Sequence, residues 1–317
     1  MKRPGAFLFR ALALGASTAL LSACVAPGAA LAPTRTTTPP ARAEPAPPSA
    51  ESRSLANYYA STQRRLLTQG LLRRDGGGPD TPVSAEMLAA NFERIALYDE
   101  YSVRNGRFVA EQTPSRLRRW EQPVRLNPVF GASVPADQVA RDRRNLSNYA
   151  SRLARVSGLP ISLSGESANY HVLFLNNDEQ RDAEPLLRQL VPGIDRATID
   201  SITQMNRFTF CSVYAFSDRV RPNTYIAAIA VIRAEHPDLL RLSCIHEEIA
   251  QGLGLANDSP TARPSIFNDD EEFALLTSQD EKLLSMLYDP RLRPGMTPDE
   301  ARPIVNQLAA EKLGGPG

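Results

Sequence analysis

Tyr225-Ile226-Ala227-Ala228-Ile229-Ala230-Val231-Ile232, followed after a short connection by residues 237–253, is the stretch on which the fold turns. The first part is a nearly continuous apolar run, typical of a buried strand. The second carries Leu242, Ile245, Ile249 and Leu253 at spacings of three and four, the apolar stripe of a helix. Pro237 suits the first turn of that helix. On either side, the pattern predicts further strands and helices. Residues 161–163, 170–175 and 211–216 read as strands. Residues 120–130 read as extended, with Pro128 favouring an edge or irregular strand. Helical spacing marks 84–101, through Met87, Leu88, Phe92, Ile95 and Leu97. It also marks 137–156, stopped by Gly158-Leu159-Pro160, then 178–190 and 278–288. Thr297-Pro298-Asp299-Glu300 has capping-box spacing and opens a last helix. Strands interspersed with helices predict an α+β (mixed α/β) domain with a small twisted sheet.

The amino terminus has a different composition. Lys2 and Arg3 precede an apolar stretch over 11–21, too short to span a bilayer comfortably. It ends in Leu21-Ser22-Ala23-Cys24, small residues before a cleavage point, as in a signal peptide. The cysteine after Leu-Ser-Ala resembles the lipobox of bacterial lipoproteins. The resemblance implies that Cys24 is acylated and becomes the first residue of the mature chain. Two or more acyl chains anchor stably, at about 0.8 kcal/mol per buried methylene. Val25 brings no inner-membrane retention signal, so the expected location is an outer membrane, facing the periplasm. Pro27, Pro33, Pro39, Pro40, Pro45, Pro47 and Pro48 follow, among Ala, Thr and Ser. That composition reads as a disordered, extended tether. The expected organisation is a signal peptide over 1–23 and a lipidated cysteine with tether over 24–52. A peripheral helix with a Gly-rich loop over 53–83 and a globular domain over 84–313 complete it.

Lys and Arg total 36 against 35 Asp and Glu, a net charge of +1. No basic run is interleaved with aromatics, which excludes nucleic acid as the expected partner. With Cys24 assigned to lipid, Cys211 and Cys244 remain. In an oxidising compartment they form either a disulfide or two buried thiols. There is no G-x-S-x-G elbow, no P-loop and no dinucleotide fingerprint. Ser164-Gly165-Glu166-Ser167 reads as a turn, and His171 as a packed strand residue.

The chemical candidate is Cys244-Ile245-His246-Glu247-Glu248-Ile249-Ala250-Gln251-Gly252-Leu253-Gly254-Leu255-Ala256-Asn257-Asp258. Glu247 and Gln251 share one helix face. Gly254 can end the helix in a left-handed turn that brings Asn257 back towards it. The run resembles the signature of metzincin zinc proteases, H-E-x-x-H-x-x-G-x-x-H. The better alignment puts Glu247 at the first ligand, Glu248 at the general base, Gln251 at the second ligand, Gly254 at the turn and Asn257 at the third ligand. All three histidines are replaced, and amide oxygens do not make a catalytic zinc site. Oxygen donors suit calcium or another divalent cation, with Asp258 or the acidic run 268–272 able to contribute. No cofactor is otherwise expected. Met286 falls where such domains place a methionine below the site.

Five segments also resemble the bacterial family called domain of unknown function 2927. They are Asn91-Phe92-Glu93-Arg94-Ile95-Ala96, Arg119-Trp120-Glu121-Gln122-Pro123-Val124, the run over 244–258, Ser265-Ile266-Phe267-Asn268-Asp269 and the run over 287–296. That resemblance implies domain boundaries and leaves the chemistry open. The resulting expectation is a lipid-anchored, zincin-like domain that binds an envelope protein or cell-wall component without zinc-protease chemistry. The alternative is a divergent metal- or carboxylate-dependent hydrolase acting on envelope peptides or cell wall.

Overall fold

The computed structural model describes residues 47–104 and 107–314. The leader, Cys24 and nearly all of the tether lie outside them. Helix α1 (Ala50–Thr68) opens the described chain, its first turn capped by the Ser49 hydroxyl, which accepts from the Ser52 N–H. It begins inside the stretch read as tether. It is also more than a peripheral helix: Tyr59 is fully buried, and with Leu55 and Leu66 it packs on Leu72, Leu240 and Ala274.

Helix α2 (Ala85–Ala96) leads into a two-stranded antiparallel ribbon, β1 (Tyr98–Arg104) and β2 (Arg107–Pro114). The main sheet takes β3 (Arg119–Trp120), β4 (Val124–Phe130), β5 (Ile161–Leu163) and β6 (Tyr170–Leu175), with α3 (Ala136–Ser157) crossing between β4 and β5. Three short helices follow: α4 (Asn177–Arg181), α5 (Glu184–Leu190) and α6 (Arg196–Thr203). The chain returns to the sheet as β7 (Cys211–Ser217) and β8 (Thr224–Arg233), then runs into α7 (Asp238–Gln251), α8 (Ser278–Leu287) and α9 (Pro298–Lys312).

The strands lie in the order β5-β4-β6-β8-β7, with the two-residue β3 paired to the start of β8. All pairs are parallel except β7, which runs antiparallel along one side of β8. Parallel strands need covered faces, and both faces are covered. Ala228, Ala230 and Ile232 of β8 join a core with Leu146 and Leu153 of α3 and Ile245 and Ile249 of α7. Ile229 and Val231 turn to the other face, against Leu187 of α5 and Ile199 and Ile202 of α6. Within the apolar run at 225–232, residues 228–232 are buried on both faces, while Ile226 is exposed. The fold is mixed α/β with a mostly parallel sheet.

Three local expectations are corrected. Pro128 lies within an interior strand, opposite Val172 of β6. It is tolerated because β5 pairs only with Val124–Leu126, which leaves one side of β4 uncovered at the proline. The single helix expected over 178–190 is two, because Pro185 has no N–H to continue α4 and instead occupies the first turn of α5. The turn after α7 starts at Gly252, earlier than Gly254.

Candidate functional site

Helix α7 is fixed to the rest of the fold by aromatic side chains bonded to its carbonyls. The Tyr149 hydroxyl donates to the His246 carbonyl at 2.7 Å, and the Tyr170 hydroxyl to that of Glu248 at 2.6 Å. Trp120 Nε1–H donates to the Gly252 carbonyl at 2.8 Å, and the Tyr288 hydroxyl to that of Leu253 at 2.9 Å. The last two satisfy carbonyls that a helix end leaves unpaired. The approach is close: a Cβ on Gly252 would lie 2.2 Å from the Tyr170 hydroxyl. At Gly254 the backbone has φ +123°, and a Cβ would lie 2.4 Å from the Arg118 carbonyl oxygen. Glycine is required at both positions.

This frame holds a cluster of sulfur and carboxylate. Cys211 of β7 and Cys244 of α7 form a disulfide with Cα atoms 5.9 Å apart. Among the described residues, Cys211, Glu247 and Glu248 each offer a ligand atom within 4.8 Å of the others. Glu248 is 3% exposed and Glu247 half-buried. Burial raises the Glu247 carboxyl well above its ordinary range, and the charges of Glu248, Asp258, Glu271 and Asp269 raise it further. Neighbouring helix positions point about 100° apart, yet these two carboxylates meet. Like charges this close favour sharing a proton or a cation. While the disulfide stands, Cys211 is no thiolate and therefore no metal ligand.

The other expected residues are distributed differently. The Gln251 amide donates to Asp258 at 3.2 Å, so these two are neighbours. Asn257, fully buried, donates to the Arg94 carbonyl at 2.9 Å and anchors the end of α2. His246 is buried, stacks on Tyr149 with ring centroids 4.0 Å apart, and accepts from the Leu276 N–H at 3.1 Å through Nδ1. Burial depresses its pKa to about 3, so it is a neutral packing residue. Met286 is a core residue. Of the acidic run, Glu272 is paired with Arg73 at 2.9 Å and Arg263 at 2.6 Å. Glu271 has its pKa raised to about 7, by burial and then by Asp269 and Asp270.

The aromatic anchors and the partnership of Cys211 with the two glutamates were not found from the sequence. Their residues come from six separate segments, and no local spacing announces them. The protein-family description "Protein of unknown function (DUF2927)" matches residues 85–307, and the chain belongs to that family. No curated protein and no solved structure matches the chain.

Proposed function

We propose that this is a lipid-anchored envelope protein whose zincin-like domain binds an extended peptide segment of an envelope partner and does not perform zinc proteolysis. The observation that carries the reading is the use made of the signature positions. Gln251 is engaged with Asp258, and Asn257 with the Arg94 carbonyl. Two of the three positions at which a metzincin holds zinc serve internal hydrogen bonds here. The zincin-like reading is supported by the order strand, helix, further strands, and then a helix directly after a buried strand. An extended peptide is favoured because β7 is an edge strand with no proline, and no other strand covers its outer side among the described residues. Such an edge can accept an added strand through main-chain hydrogen bonds. The anchor follows from Cys24, and the tether would hold the domain off the lipid.

Elemental analysis tests the first half: the full chain purified without reductant should hold no stoichiometric zinc. One tightly held zinc per chain would overturn it. Cell fractionation tests the second: Cys24→Ser should move the protein from membranes to the soluble fraction, and unchanged membrane association would remove the anchor. A second reading, hydrolysis, is favoured by one observation, the close Glu247–Glu248 pair. On that reading Glu248→Gln abolishes turnover of a peptide or cell-wall substrate, and an unchanged rate removes Glu248 from any mechanism.

A further inference from the structure

We propose that reduction of the Cys211–Cys244 disulfide unmasks a transition-metal site built from Cys211, Cys244, Glu247 and Glu248. The Cys211 sulfur already lies within 4.8 Å of a carboxylate oxygen from each glutamate. The Cys244 sulfur is bonded to it. Two sulfurs and two carboxylate oxygens make a four-donor set. Tetrahedral zinc takes these ligand types at about 2.3 and 2.0–2.2 Å, which puts neighbouring donors roughly 3.5 Å apart. The Cys211 sulfur and the two carboxylate oxygens need to draw in by no more than about 1.3 Å, while the two sulfurs, once reduced, must move apart to reach that spacing. All four donors sit on α7 or on β7, which packs against it. Thiolates select zinc or cobalt over calcium and magnesium. The site shares only Glu247 with the metzincin ligand pattern.

The redox step needs a dithiol. Cys211 is half-buried and Cys244 is 2% exposed, so the attack falls on the Cys211 sulfur. A mixed disulfide forms there, the Cys211–Cys244 bond breaks, and Cys244 leaves as thiolate. The second thiol of the dithiol then attacks its own sulfur in the mixed disulfide. It expels Cys211 and closes the dithiol into a cyclic disulfide. Two electrons pass to the cystine, and two protons pass from the dithiol to the two cysteines. Metal binding releases those protons to solvent.

The test uses the full chain carrying Cys24→Ser, so that only this pair supplies sulfur, with cobalt(II) as probe. After reduction by a phosphine and its removal, cobalt should give a thiolate charge-transfer band and tetrahedral visible bands. Both should saturate at one metal per chain and be displaced by one zinc. The oxidised chain should give neither. A Glu247→Gln, Glu248→Gln variant keeps the disulfide for folding; once reduced, it should bind cobalt roughly 10-fold or more weakly. The proposal is overturned by a reduced wild type without the charge-transfer band. It is overturned equally by a variant that binds as tightly as wild type, or by a reduced chain that unfolds and is not refolded by cobalt. It does not depend on the binding reading, which the zinc content of the oxidised chain tests alone.

Discussion

Arg241 and Glu247 lie less than two turns apart on α7, and each carries charge into a buried environment with opposite outcomes. Arg241 meets Asp142 of α3 at 3.2 Å, with side chains 5% and 1% exposed. It also donates to the Ala234 carbonyl at 2.6 Å, while Gln138 donates to Asp142 at 2.8 Å. Burial lowers the arginine and raises the aspartate, and each partner opposes that shift in the other. Glu247 instead meets Glu248, and both burial and neighbours push its carboxyl the same way. A compensated pair of this kind serves structure. A like-charged pair costs stability, and side chains kept at such a cost mark a site where a proton or cation is handled.

Breaking the compensated side should have the largest effect. Asp142→Ala strands the Arg241 charge and should cost about 3–5 kcal/mol in denaturant unfolding; a cost below 1 kcal/mol would show that the pair is not compensating. Next come the buried neutral histidines. His236 and His246 are depressed to about 3, mainly by burial. Each contributes stability that is present above pH 6.5 and lost as the pH falls towards 3, at up to about 1.4 kcal/mol per pH unit. His246→Asn should flatten the acid limb of stability by one proton, and an unchanged slope would contradict the burial argument. Asn257→Ala should cost about 1–3 kcal/mol by leaving the Arg94 carbonyl unpaired. Because the residue is structural on this reading, cobalt binding by the reduced chain should not change.

The effect on the uncompensated side has the opposite sign. Glu247 and Glu271 have raised folded pKa values, so each contributes stability below pH 4.5 that disappears as the pH rises. For Glu271 that loss is complete above about 7. Glu247→Gln and Glu271→Gln should therefore each be more stable than wild type in denaturant unfolding at pH 8 and equal to it at pH 4. A gain that is constant with pH would refute the repulsion account.

What could be read from the chain was local. Strand β8, helix α7 and the Thr297–Glu300 capping box were legible because burial period and cap chemistry are written in consecutive residues. The ribbon of β1 and β2 was missed, since Arg107-Phe108-Val109-Ala110-Glu111-Gln112-Thr113-Pro114 has no sustained alternation. Helix α6 was missed because eight residues hold too little of a stripe. At the site, Glu247 and Glu248 were singled out from the signature spacing, and the fold brings Cys211 beside them. Trp120, Tyr149, Tyr170 and Tyr288, which position them, act across long sequence separations that only the folded chain brings together.

The bond between β7 and α7 has a further consequence, for exchange between copies of the chain. It closes a loop with a sequence separation of 33 residues, worth roughly 4 kcal/mol against the unfolded chain. Edge strands are the parts of a sheet most readily traded with a second molecule. Here β7 cannot leave without α7, and α7 is held by Trp120, Tyr170 and Tyr288. The same covalent latch thus guards against strand swapping and withholds two sulfur atoms from solution, and a reducing environment would release both together.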